Sequence, residues 1–169
     1  MGFKRTSDTI AVSFSLTESA PNTFTQSEIA LQLDVLNNEI FVVVAADLNI
    51  LPPDALAGVD TDVRSTVSST VQAIGPSTLG NTNTIALARD FIQAGGFVDG
   101  GVAFSTKAGE SVQGDVDYIS LISTNNFHIS VMGKANAVAK GVSGRLWGYR
   151  ARADAATYAA LVQSEVLSA

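Results

Sequence analysis

The chain contains no cysteine among its 169 residues. That absence removes disulfides, thiolate catalysis and Cys-ligated zinc together and leaves the redox compartment open. Charge is scarce as well: Asp, Glu, Lys and Arg make up 15% of the sequence, against about a quarter in ordinary globular domains. The net charge of −6 excludes a generic nucleic-acid binder. Long apolar runs are missing too. The longest, Ile40 to Ala46, is far short of the roughly 20 residues that span a bilayer. The opening MGFKRTSDTI has basic residues with no apolar run behind them, so no secretory leader is expected. Asn-x-Ser/Thr does not occur. Gly2 followed by Thr6 matches a myristoylation pattern, and a plain disordered terminus accounts for the same residues.

Ala, Ser, Thr, Val and Gly take the place of charge. A surface so poor in charge keeps free monomers apart badly, so it suits a protein covered by neighbours. A Thr/Ser-rich surface on an ordinary β-domain fits equally well.

The dominant period is two. Ile10, Val12, Phe14 and Leu16 alternate with small polar residues, and Ile29, Leu31, Leu33 and Val35 do the same, giving two half-buried strands. Leu36-Asn37-Asn38 supplies a turn, so Glu39 to Leu48 is expected to pair back as a hairpin. That run is apolar on both faces and reads as a central strand. Leu51-Pro52-Pro53-Asp54 breaks the chain. Val63 to Val71 reads as a strand rich in Ser and Thr, and Thr84 to Ile92 as a strand or short helix. Gly95-Gly96 and Gly100-Gly101 mark turns, and Ala103 to Asp115 reads as a loop. Strands at Val116–Ile122 and Phe127–Val131, joined through Thr124-Asn125-Asn126, predict a second hairpin; Val142 to Ala151 is the last strand. Ala155, Tyr158, Leu161, Val162 and Val166 then recur at helical spacing behind Asp154 as N-cap.

The expected fold is mainly β: an antiparallel β-sandwich, a jelly roll of about eight strands, with a C-terminal amphipathic helix. Residues 1–7 form a flexible segment and 8–152 the sandwich. Residues 153–169 form a helix that docks on its own sheet or on a neighbouring subunit.

Catalytic constellations are thin. His128, the only histidine, alternates away from Phe127 and Ile129 in a strand, which suits a surface or interface residue better than a base. A Ser–His–acid triad would have to use it, and Gly141-Val142-Ser143-Gly144 is one residue too compact for a nucleophile elbow. No phosphate-loop motif occurs. Asp60 with Asp62, and Asp115 with Asp117, are spaced to share a face on extended chain. Either pair could hold Ca²⁺ at a subunit contact or serve as solvated loop acids. No other cofactor is implied, and no enzyme is expected.

Charge distribution says more. From Tyr118 through Ala153 there is no Asp or Glu, yet Lys134, Lys140, Arg145, Arg150 and Arg152 all fall there, half of the chain's 10 basic residues. Arg145, Trp147 and Tyr149 share one strand face, residue types enriched at binding hot spots. Arg150 and Arg152 point the other way. With Tyr158 and Leu161 of the helix, these seven are the candidate interface. It would face the acidic loops of a neighbour, packaged nucleic acid, or only solvent.

The Cys-free chain, its short Thr/Ser/Val-rich strands, its Asn- and Gly-rich turns and the closing WGYRARADAATYAALVQSEVLSA together resemble the single jelly-roll coat proteins of icosahedral viruses. That resemblance implies a homo-oligomeric shell, other capsid proteins as further partners, and a virion location. It carries over no functional residue. Coat proteins that touch the genome often begin with a long basic arm, whereas only Lys4 and Arg5 stand here, so weak or absent nucleic-acid contact is implied. The alternative is a carbohydrate- or ligand-binding sandwich with Trp147 and Tyr149 as its stacking platform.

Overall fold

The structure is a computed structural model and describes residues 2–109 and 116–169. Ten strands and one α-helix follow in order: β1 (Phe3–Arg5), β2 (Ile10–Thr17), β3 (Thr25–Ala30), β4 (Glu39–Ile50), β5 (Thr61–Ser68), β6 (Thr84–Gln93), β7 (Val102–Ala108), β8 (Ser120–Ile122), β9 (Asn126–Lys134), β10 (Gly141–Ala153) and α1 (Ala155–Leu167). One sheet runs β2-β10-β4-β8, with β1 beside β2 along the same edge of β10; the other runs β3-β9-β5-β6-β7. Every pairing is antiparallel. Apart from β1, β5 and β6, each strand is followed by one in the opposite sheet. The order β2-β10-β4-β8 over β3-β9-β5-β6 is therefore a jelly roll of two interlocked Greek keys.

That weave corrects both expected hairpins. The turn at Leu36-Asn37-Asn38 exists, with Asn38 in the left-handed region at φ 55°. It carries the chain from β3 in one sheet to β4 in the other. Thr124-Asn125 likewise crosses from β8 to β9. Tight polar turns serve a sheet change as well as a hairpin, so sequence cannot tell the two apart.

The second strand also starts earlier than its alternation implies. Pairing ends at Ala30, because Gln32 adopts φ 54° and the amide of Leu31 turns to the carbonyl of Asn125 at 2.9 Å. Leu31 and Leu33 keep their buried positions without a ladder. Of the stretch expected as a loop, Ala103 to Ala108 belongs to β7, and 110–115 lies outside the described residues. Val116–Ile122 is strand only from Ser120. The segment expected to be flexible carries β1, because Phe3 packs edge-on against Tyr118, centroids 6.0 Å apart.

The core lies between the sheets. Phe14, Phe41, Val43, Val63, Val67, Phe127, Ile129, Val131 and Leu146 fill it, each worth about 1.5–3 kcal/mol when fully buried. A smaller apolar layer covers the outer side of the first sheet. There Ile40, Val42, Ala151 and Ala153 lie beneath Tyr158 and Leu161 of α1. β4 is thus apolar on both faces over its first half, because core lies on one side and helix on the other. Past the bulge at Trp147/Gly148 it alternates.

Candidate functional site

α1 begins where expected: the Asp154 carboxylate accepts the amide of Thr157 at 2.8 Å. This pairing, with a further bond from the Thr157 hydroxyl, holds the carboxyl below its ordinary range. At the far end Glu165, 6% exposed, accepts the amides of Ser123 at 2.9 Å and Thr124 at 3.2 Å, and both their hydroxyls. The helix is thereby held on its own sheet.

α1 covers only the half of the outer face around Tyr149, Ala151 and Ala153. The other half is open. Trp147 stands between Ala11 and Ala45, and Arg145 between Ser13 and Asp47, on the neighbouring strands. With short neighbours on either side, Arg145 is exposed and Trp147 half-buried. Ser13, Asp47, Asn49, Ser143, Arg145 and Trp147 line a shallow depression there. Tyr149 lies at the border, with Arg5 stacked 4.4 Å above its ring.

The basic stretch does not gather into one patch. Lys140 is buried, its ammonium 2.6 Å from Asp54 Oδ1. Arg150 reaches inward, donating to the carbonyls of Leu31 at 2.8 Å and Gln32 at 3.0 Å and to Glu39 at 3.2 Å. Arg152 and Lys134 are exposed at separate places. Of the seven candidate residues, the structure sets Arg145 and Trp147 on the open half-face, puts Tyr149, Tyr158 and Leu161 in or beside the helix layer, and spends Arg150 inside the chain.

The acid pairs have other work. Asp60 Oδ1 accepts the amides of Ala94 at 2.7 Å and Gly95 at 2.8 Å, which hold its carboxyl below the ordinary range. Asp62 takes Arg89 at 2.7 Å. Asp117 is exposed, and Asp115 lies outside the described residues.

His128 is a correction: it is 7% exposed. Residues 69–83 lie as a strap over the outer face of the second sheet. Thr66 donates to the Ser77 carbonyl at 2.8 Å, Gln72 Nε2 to the Ser68 hydroxyl at 2.8 Å, and Gln26 pairs with Gln72. His128, in register with Ser68 and Glu28, lies beneath it. Burial pushes its pKa down, and Glu28 at 4.0 Å opposes the shift in part.

Periodicity also missed a clamp of three loops at one end of the sandwich. Glu18 accepts the amides of Gly133 at 2.6 Å and Lys140 at 2.8 Å. Asn22 and Asn136 exchange bonds of 2.8 Å. Asn136 also accepts the amide of Asp54 at 2.9 Å and donates to the carbonyl of Asp62 at 2.9 Å. Asn22 and Asp54 show in the sequence as turn residues, but their partners lie more than 80 positions away.

Strand order and helix define a jelly-roll β-sandwich, with apolar side chains left in water on its strap, its β6–β7 turn and β7. No protein-family model matches the chain. No curated protein matches it by sequence. Among solved structures it is similar to a chain from Desmodium yellow mottle tymovirus, at 14% identity and a TM-score of 0.34, covering 84% of this chain and 87% of that one. It is also similar to a chain from turnip yellow mosaic virus, at 15% identity and a TM-score of 0.24, covering 83% and 93%. The fold assignment rests on the strand order itself.

Proposed function

We propose that this protein is a self-assembling structural subunit, a viral capsid protein that builds a virion shell through subunit–subunit contacts and catalyses nothing. The carrying observation is the placement of large apolar side chains in water on a chain so poor in charge. Ile74 and Val98 are each 91% exposed, and Leu79, Phe97, Val102 and Phe104 are all exposed beyond a third. Apolar side chains left exposed in this way mark surface that another molecule covers. The jelly roll agrees with this reading, since capsid domains use it, as do lectins and cupins. Light scattering with negative-stain imaging of the purified protein tests it. Uniform megadalton particles support the shell; a stable monomer across salt and calcium conditions overturns it.

The depression around Trp147 favours a second reading, a carbohydrate-binding sandwich. An indole ringed by Asp47, Asn49, Ser13 and Ser143 suits stacking against a sugar with its hydroxyls hydrogen-bonded. Glycan-array binding lost in Trp147→Ala supports it, and an empty array removes it.

A further inference from the structure

We propose that β7 is a joint between two copies of this chain, which pair antiparallel through their β7 edges and extend the second sheet across a two-fold axis. The inference rests on the assembly reading and names the contact within it.

β7 ends its sheet, and among the described residues no element pairs with its outer edge. Such an edge presents a row of unpaired amides and carbonyls. Proteins that must stay apart blunt it with Lys and other charges, Pro, bulges or very short strands. β7 has no Pro and no bulge, and its one charge, Lys107, is drawn to Asp47 of its own chain. It is 7 residues long, VAFSTKA, and pairs with β6 from Leu87↔Ala108 to Gln93↔Val102 without a register shift. Its side chains are exposed from Val102 to Lys107. The ring of Phe104, 46% exposed, stacks on Phe91 at 5.2 Å. Phe97 and Val98 extend the apolar surface at the β6–β7 turn. Asp60 ties the 51–60 loop, with Leu56 and Val59 exposed, to that turn.

The occupant follows from charge and sequence. In the register that uses all seven residues, Ser105 sits on the axis. Val102 then faces Ala108 of the other copy, Ala103 faces Lys107, and Phe104 faces Thr106. No like charges meet. The one charge in the strand, Lys107, lies 3.7 Å from Asp47 of its own chain. The strand is complementary to itself, which a two-fold contact requires.

The position opposite Lys107 gives the test. Ala103→Lys sets like charges face to face at two places in the dimer, and Ala103→Glu sets opposite charges there with the same side-chain bulk. Each full-length variant is compared with the wild type by light scattering over a concentration series at low salt, with a thermal melt as the folding control. The expected result is association weakened about tenfold in Ala103→Lys and equal or tighter in Ala103→Glu, with matching melts. Particles from both variants at wild-type concentrations overturn the β7 joint and leave the shell standing. Equal loss in both also overturns it, since the sign of the charge should decide. A wild-type dimer that forms no particles, and that Ala103→Lys dissolves, supports the joint and removes the shell. A monomeric wild type removes both.

Discussion

Glu165, on the last turns of α1, accepts the amide of Ser123 at 2.9 Å, in the link that crosses from one sheet to the other. The same link gives it the Thr124 amide and two hydroxyls, and Asn83 donates to its backbone carbonyl at 3.2 Å. α1 therefore has a carboxylate at each end: Asp154 caps its own first turn, and Glu165 ties its last turns to the β8–β9 link. Among the described residues, Tyr158 and Leu161 supply its apolar contact with the sheet.

Glu165→Ala leaves the Ser123 amide and hydroxyl buried without an acceptor, which costs about 2–4 kcal/mol. Glu165→Gln keeps an acceptor oxygen and costs less. Both appear as a lower thermal midpoint. Hydrogen exchange is the sharper measurement, because Ala155–Leu167 should lose protection before the strands do. Uniform loss across the sandwich would show that the helix is not a separate unit.

Gly148 faces the core from β10 against the ring of Phe41: a Cβ there would lie 2.5 Å from Phe41 Cε1 and against the carbonyl of Val42. Gly144, four residues earlier, makes the same room for Phe14, with ring carbons 2.8 and 2.9 Å from the Cβ position. Gly148→Ala is expected to destabilise the protein by about 1–3 kcal/mol through overpacking, read in a denaturant titration. An unchanged midpoint would mean that Phe41 moves aside freely.

These glycines show where sequence reading stops. Alternation in β2, β9 and β10 and helical spacing in α1 are local signals, and they placed those elements within a few residues. Sheet partnership is not local. Asn38 and Asn125 look like hairpin residues, yet each stands where the chain changes sheets. Gly148 fits the alternation of its strand, but why it and Gly144 are glycines is fixed by rings on β2 and β4. Lys140, Arg150 and His128 read as surface residues because their partners Asp54, Leu31 and the 69–83 strap lie far along the chain. That Arg145 and Trp147 share a face follows from alternation alone; that their neighbours in register, Ser13, Ala11, Asp47 and Ala45, are small or polar does not.

His128 gives the fold a pH dependence near neutrality. Burial lowers its pKa below the ordinary 6.5, so between the two values the unfolded chain binds a proton that the folded one refuses. Stability is therefore full above about pH 7 and falls as the pH drops through 6.5 toward the folded value. With one histidine in the chain, its ring resonance can be followed unambiguously by NMR. The titration should fall below the model-peptide midpoint, and His128→Gln should flatten the melting temperature between about pH 5 and 7. A midpoint at or above the ordinary value would mean that the strap does not desolvate the ring.

Arg145 and Trp147 separate assembly from folding. Both rise from the open half of the outer face, where their neighbours in register are short, so little of the monomer rests on them. Arg145→Glu should change monomer stability by no more than about 0.5 kcal/mol, as surface substitutions do. Trp147→Ala should cost somewhat more, since part of the indole lies against the sheet. If this half-face meets a neighbour, each substitution removes a side chain of the kind that dominates binding energy, a loss of about 2 kcal/mol or more per contact. Repetition around a shell multiplies that loss, so particles should fail to form from variants whose melts match the wild type. Sedimentation at matched concentrations reads the outcome. Normal particles from both variants would place the interface elsewhere, with the β7 edge and the 69–83 strap as the surfaces left to carry it.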